Sequence, residues 1–518
     1  MHRYLYFTVF ISGLCSLALE MAGSRLLEST FGSSNLVWAA VIGLILIYLA
    51  VGYFVGGKWA DRSASPRTFY SILLGASLAI AIIPLVSKPI LNLASQAFDQ
   101  LRLGVLGGAF VVVLLLMAIP VILLGTASPF AIRLAVQDTR SVGRISGRIY
   151  AISTLGSFIG TFLPPLLLIP LAGTSLTFLI ISGLLLITSL VGLISTGLSN
   201  RAKLSLLSPL LLLAAGTWLQ TLPTRSTEGM IYETESSYNY IQVLEFSGYH
   251  LLRLNEGQGV HSIYNPDIIR YYGPWDQVLA APFFNPAPVD PASIRSLAIV
   301  GLAAGTTARQ ASIAYPGIQM DGFEIDEKIV QVANTYFAMD EIPGLTTYIQ
   351  DGRWGLEHSP NRYQVISIDA YRPPYIPWHM TTREFFQIVH DHLTADGVMV
   401  INVGRAPQDR RLINTLASTI LQVFPTVHVM DLPDSFNSLL YATVQPTLPQ
   451  NLEDNLNALL PRSDIHPLLA ETTQFALANL QAAPPPDIVF TDDRAPIEWI
   501  TNNLVLHFIL SGQTEDLE

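Results

Sequence analysis

Four fragments decide the fold: LAIVGLAAGT (297–306), GFEID (322–326), YIQDGR (348–353) and VISIDAY (365–371). Each is a short apolar run ending in Gly or a carboxylate, with a helix-length segment before the next. That alternation predicts the parallel strands of a doubly wound α/β sheet, in which ligands bind outside the carboxyl ends of the strands. An acid about twenty residues beyond a glycine turn is placed to bond a ribose hydroxyl, and Glu324 fits that position. Strand-end Gly and Asp residues also serve turns and helix caps, a role open to Asp326 before its following helix.

Working outward, composition divides the chain. Half of the 518 residues are hydrophobic, 13% are charged and mean hydropathy is +0.43. Residues 1–225 hold 14 Lys and Arg against 5 Asp and Glu, leaving 14 basic and 34 acidic of the chain's 28 and 39. The first part is therefore basic and apolar, and the second is a soluble acidic domain large enough for its own core. About seven stretches can span some 30 Å of hydrocarbon, near 4–24, 35–57, 69–87, 104–126, 150–171, 174–197 and 204–222. The first lacks a small-residue cleavage site and leads into further spans, so it is expected to stay uncleaved. Basic residues cluster in alternate connections (Lys58, Arg62, Arg67; Arg133, Arg140, Arg144, Arg148; Arg201, Lys203), which places those loops and the N-terminus in the cytoplasm. Cys15 is the single cysteine, so no intrachain disulfide exists.

Within the membrane half, Glu20 and Arg25 lie near one end of the first span, where an ion pair at the headgroup level is the plainer reading and a functional site the sharper one. Gly52 and Gly56 are four apart, a spacing that lets helices approach closely. The Gly57-Lys58-Trp59-Ala60-Asp61-Arg62 segment resembles the cytoplasmic loop of major-facilitator transporters. A transporter and a structural platform both remain open for this half.

In the soluble half, 230–272 alternates with aromatic and β-branched residues, a small β domain. After Gly404 come a helix (about 408–423) and two strands (TVHVMDL and SLLYATV), then proline-broken helices from 445 to 490. Thr381 is expected to cap the helix that follows it. His261, His379 and His390 lack metal-ligand spacing, so no metal is expected. Asp492 and Asp493 read as turn or cap residues.

The β segment ESSYNYIQV (235–243) followed by the four fragments resembles the spermidine synthase family, and the whole chain resembles its membrane-fused bacterial members. The resemblance implies a class I methyltransferase fold and transfer of an aminopropyl group from decarboxylated S-adenosylmethionine to an amine. It further implies Gly301 and Gly305 in the nucleoside loop, with Arg309 matching an arginine a few residues on. Glu324 is implied on the ribose with Asp326 beside it, Asp351 and Gly352 at the adenine, and Asp369 as catalytic base. Three departures concern the amine: Ala304 stands where the family has an aspartate, Arg372 where it has a second acid, and Tyr271-Tyr272-Gly273-Pro274 where it reads Tyr-His-Glu. Tyr371, Tyr375 and Trp378 are either a cation cage or loop packing.

The expected fold is thus an α-helical membrane domain (1–225), a small β-rich domain (226–290), a nucleoside-binding α/β domain (291–445) and a helical extension (446–518). The expected activity is a membrane-bound, spermidine synthase-like aminopropyl transfer with an altered acceptor site. A polyamine- or nucleoside-sensing protein, a transporter and a methyltransferase using S-adenosylmethionine are the competing readings. No permanently bound cofactor is implied; the decarboxylated or intact nucleoside is a co-substrate. Expected partners are the lipid bilayer, a small amine or polyamine and a second copy of the chain. The acidic soluble half argues against nucleic acid. Seven spans would put that half outside the cell, whereas its donor is cytosolic. A cytoplasmic placement requires that 204–222, interrupted by Ser208 and Pro209, does not cross.

Overall fold

The computed structural model describes residues 2–31, 35–99, 103–136, 138–197, 214, 227–255, 259–371, 376–405, 409–433 and 435–501. The chain divides into two compact units. One comprises Met1–Glu228, Glu233–Tyr240 and Asn255–Gly257; the other comprises Gly229–Tyr232, Ile241–Leu254 and Gln258–Glu518.

Among the described residues of the first unit, five helical stretches are long and apolar enough to cross a membrane: Arg3–Leu27, Val41–Arg62, Pro66–Ser87, Leu114–Ala135 and Val142–Ser195. The last is 54 residues, about 80 Å of helix and more than twice a hydrocarbon core. Its backbone leaves helical geometry at Gly173 (φ 77°, ψ 166°) and restarts there. The expected stretches 150–171 and 174–197 fall on either side of this break, and 204–222 lies outside the described residues. A side chain at Gly156 or Gly160 would run into the backbone of Phe10 or Leu14, so the helices His2–Phe31 and Val142–Leu163 meet backbone to backbone. Gly52 and Gly56 meet the backbone around Ile122, Gly125 and Thr126 in the same way, which accounts for their spacing. Ser77 and Ser182 each donate to the other's carbonyl oxygen, at 3.0 and 2.8 Å, across two apolar helices.

Arg25, singled out in this unit, is tied to backbone. Arg25 donates to the carbonyls of Ser236 (2.9 Å) and Tyr238 (3.1 Å). Glu235 accepts from the backbone N–H (2.9 Å) and hydroxyl (2.7 Å) of Thr174, satisfying the start of the helix that resumes after Gly173. Asp61 pairs with Arg133 at 3.5 Å, both well exposed.

Two sheets are formed mainly by residues of the second unit. Strands β1 (Met230–Glu235), β2 (Tyr240–Phe246), β3 (Tyr249–Leu254) and β4 (Ser262–Tyr264) form a four-stranded sheet in that order, with β2–β3 and β3–β4 antiparallel. The larger sheet contains β5 (Ser296–Val300), β6 (Gln319–Glu324), β7 (Leu345–Ile349), β8 (Tyr363–Ile368), β9 (Leu393–Gly404), β10 (Thr426–Asp431) and β11 (Asn437–Thr443). Its order is β10-β11-β9-β8-β5-β6-β7. Strands β5 to β9 are parallel, as the four fragments predict, but β11 runs antiparallel to both β9 and β10. The sheet is therefore mixed rather than wholly parallel. Only a short turn separates β10 from β11, too short for the crossover a parallel neighbour needs.

Alternation along these strands builds two cores. Leu297 and Ile299 of β5, Val398 and Val400 of β9, and Leu439 and Tyr441 of β11 face one apolar layer. Ala298 and Val300, Met399 and Ile401, and Leu440 and Ala442 face the other. The helices Thr306–Ala314, Glu327–Tyr336, Pro449–Leu459 and Pro467–Ala478 cover the first layer, and Arg383–Asp391 and Arg411–Ile420 the second. Sheet residues buried on both faces explain the near-continuous apolar runs of the sequence. The cap of Arg383–Asp391 is Thr382, whose hydroxyl accepts from Phe385 N–H at 3.3 Å. Thr381 was expected there; it sits one residue too early, and its hydroxyl donates to the Trp378 carbonyl at 2.7 Å.

Candidate active site

The carboxyl ends of β5 and β8 open on a cavity of about 710 Å³. Gly301 and Asp369 are in its wall, together with Ala303, Thr306 and Ser262 on one side and Asn402, Leu432 and Phe475 on another. The loop after β5 turns sharply: Gly301, Ala303 and Gly305 have φ of 90°, 48° and 79°. At Gly301 a Cβ would lie 2.5 Å from the carbonyl oxygen of Asp369 and 2.8 Å from the Cα of Ala370, so only glycine lets β5 and β8 diverge this closely. Strand β4 laces the same loop. Ala304 N–H donates to the Ser262 hydroxyl at 2.9 Å, and the Thr306 hydroxyl both accepts from Ile263 N–H and donates to the Ile263 carbonyl, each at 2.9 Å. Ala304, where an acid was expected from the resemblance, is 3% exposed.

Glu324 ends β6 beneath that turn. One carboxylate oxygen accepts from Ala303 N–H (2.9 Å) and the other from Asp326 N–H (3.1 Å). Burial pushes its pKa up to about 7, outweighing the backbone donors that favour the ion. Asp326 caps the next helix by accepting from Lys328 N–H at 3.0 Å. Asp351 accepts from Trp354 N–H (3.0 Å), capping Gly352–Glu357, and meets His379 Nε2 at 3.2 Å, the hydrogen bond that chiefly lowers its pKa. Glu324, Asp326, Asp351, Gly305 and Gly352 sit at the adjoining strand ends, outside the wall of this cavity.

Among the described residues, Asp369 is the carboxylate in its wall. Burial raises its pKa to about 6, against the opposing hydrogen bond from Asn402 Nδ2 at 3.0 Å. No second carboxylate contributes to this shift. Asn402 was not among the expected residues. It is buried, and its own carbonyl oxygen Oδ1 has no hydrogen-bond partner among the described residues. Tyr371 fixes the strand beside it by donating to the Asn402 backbone carbonyl (3.0 Å) and accepting from Gly404 N–H (2.7 Å). The available signal was register: Ile368 pairs with Ile401, so the residues following each, Asp369 and Asn402, are neighbours across β8 and β9. His261 also lines the cavity, and burial lowers its pKa to about 4, so it is neutral at pH 7.

Two expected residues, Arg372 and Tyr375, lie outside the described ones. Trp378 is 47% exposed and does not belong to the cavity wall. Asp492 is a structural pin: Arg353 grips it with two hydrogen bonds (2.8 and 2.7 Å) and the Thr382 hydroxyl donates to it at 2.6 Å. Among the described residues no group of three or more His, Cys, Asp or Glu is placed to hold a metal ion.

The strand order, the reversed β11 and the glycine turn after β5 define a class I methyltransferase-like α/β domain. More specifically, residues 293–446 match the spermine/spermidine synthase domain, so the C-terminal half carries a spermidine synthase-like domain behind an N-terminal series of apolar helices. A probable polyamine aminopropyl transferase of Bifidobacterium longum (strain NCC 2705) is 34% identical over 289 residues, 52% of this chain and 61% of that protein. The chain thus spans less than two thirds of that relative's length. A polyamine aminopropyltransferase of Vibrio vulnificus (strain CMCP6) is 27% identical over 264 residues, 49% of this chain and 85% of that one. A crystal structure of a probable spermidine synthase from Corynebacterium glutamicum ATCC 13032 matches 52% of this chain and 99% of that chain, at 20% identity and a TM-score of 0.38.

Proposed function

We propose that this chain is a membrane-bound, spermidine synthase-like aminopropyltransferase that uses decarboxylated S-adenosylmethionine and an amine whose binding site departs from the family's. The observation that carries the reading is the placement of Asp369, with its raised pKa, in one cavity wall with the Gly301 turn. In the reaction Asp369 accepts a proton from the amine. The freed nitrogen attacks the aminopropyl carbon next to the sulfonium, a C–N bond forms, and the C–S bond breaks with its electron pair moving to sulfur. The products are the alkylated ammonium and methylthioadenosine. Gly301 and Gly305 shape the nucleoside loop, and Glu324 exchanges a backbone N–H for the ribose hydroxyls. Asp351, with Gly352, faces the adenine, and Asp326 supports Glu324 by its own N–H. The domain boundaries fall near 225, 290 and 445.

Calorimetry on the full-length chain in lipid nanodiscs tests the nucleoside site. Decarboxylated S-adenosylmethionine and methylthioadenosine are expected to bind, and Glu324→Ala to weaken both by about 1.5–3 kcal/mol, the range for a hydrogen bond to a charged group. Absence of heat up to millimolar nucleoside defeats the reading. Heat without turnover under any amine transfers the case to a sensor.

The soluble half is placed in the cytoplasm, where such a donor is made, with 204–222 not crossing. Alkaline phosphatase fused after Glu518 is expected to stay inactive, since it folds to its active form only outside the cytoplasm. A strongly active fusion puts the domain on the far side and rules out a cytosolic enzyme.

A further inference from the structure

Resting on the transfer reading, we propose that the acceptor is a primary amine bearing a single positive charge on an otherwise uncharged body, its nitrogen seated between Asp369 and Asn402. An ammonium group is a donor with three protons and no acceptor, so its seat must offer oxygens only. Asp369 and Asn402 supply that. The Asn402 amide N–H is spent on one Asp369 oxygen at 3.0 Å. The second Asp369 oxygen and Asn402 Oδ1 then remain as acceptors, and Oδ1 is buried with no partner among the described residues. A buried carbonyl left unpaired is costly, and a bound donor removes that cost.

The rest of the wall sets the charge of the ligand. Among the described residues lining the cavity, Asp369 is the one ionised side chain, since His261 is neutral. Trp275, Leu432, Pro433 and Phe475 present apolar surface, and Ser435 and Asn437 are uncharged. A diamine would bring a second ammonium into this cavity with no second carboxylate among those residues to receive it, and a desolvated charge without a partner is strongly disfavoured. The sequence removes acids in the same direction, with Ala304 and Arg372 at positions where the resembled family has carboxylates. Phe475 belongs to the helix Pro467–Ala478, beyond the residues that match the family domain.

Matched pairs of amines test the proposal on the full-length chain in nanodiscs: hexylamine against 1,6-diaminohexane, and butylamine against 1,4-diaminobutane. Methylthioadenosine release gives kcat/KM, and calorimetry on the methylthioadenosine complex gives amine affinity without turnover. The monoamine of each pair is expected to exceed its diamine at least ten-fold by either measure. Phe475→Asp is expected to shift that ratio toward the diamine. A diamine that binds or reacts as well as its monoamine overturns the proposal, as does failure of both amines to bind the methylthioadenosine complex. Loss of nucleoside binding itself would instead strike the transfer reading, which the calorimetric control reports separately.

Discussion

Asp369→Asn is expected to lower turnover by about 10²–10⁴-fold, the range for loss of a positioned general base, while nucleoside affinity is kept. The substitution preserves shape and the neighbouring Asn402, but the amide cannot take a proton. The physical case for this residue is its environment. Burial holds the carboxyl at about 6, so at pH 7 it is mostly ionised yet a stronger base than an exposed aspartate. The sign of the pH dependence follows. The base works ionised, so the wild-type rate should fall as pH drops through about 6, and this acid limb should be missing from whatever residual rate the Asn variant shows. Methylthioadenosine release between pH 5 and 8, at saturating nucleoside and amine, measures both. A wild-type rate in Asp369→Asn assigns the proton to another group.

The sheet was largely legible because its signals are local. Gly301, Glu324 and Asp369 each close a short apolar run, and β5, β6 and β8 end at those points. Strand direction was not legible. Alternation in 437–443 says that one face is buried against each core, and it reads the same whether β11 runs parallel or antiparallel to β9. Of the residues expected at the candidate site, Gly301 and Asp369 line the cavity, whereas its amide was not legible. Asn402 interrupts the apolar run 398–403 of β9, and only the pairing of β8 with β9 brings it to Asp369. Asp492 shows the same limit at longer range, since Arg353 and Thr382 lie more than a hundred residues before it.

Several polar residues have local duties that a sequence cannot separate from ligand binding. Asp326 and Asp351 each accept from a backbone N–H at the start of a helix. A cap and a ligand contact both demand an acceptor at a strand end, because the first turn of the following helix and the ligand occupy the same side of the sheet. Glu324 is more specific: one oxygen holds the loop after β5 at Ala303 N–H and the other accepts from Asp326 N–H. In the first unit, Gly52 and Gly56 were legible as contact residues because four-residue spacing has one geometric meaning on a helix.

Gly301→Ala is expected to abolish measurable nucleoside binding and to lower the melting temperature of the α/β domain, whereas Ala303→Gly, two residues on, is expected to leave both close to wild type. At Gly301 two penalties add. The φ of 90° costs an L-residue about 1–2 kcal/mol. The new methyl would also press on the backbone of Asp369 and Ala370 at 2.5 and 2.8 Å, and overpacking of this kind costs about 1–3 kcal/mol. Neither obstacle is a side chain that can swing away, so relief must come from moving the ends of β5 and β8 apart. That movement displaces Asp369 and the turn held by Glu324 together. Ala303 already occupies left-handed geometry at φ 48°, so glycine there relieves strain and keeps the N–H that Glu324 accepts. Calorimetry and thermal unfolding of the two full-length variants separate a loop that shapes the ligand site from one that merely connects a strand to a helix. Wild-type affinity in Gly301→Ala would place the nucleoside elsewhere.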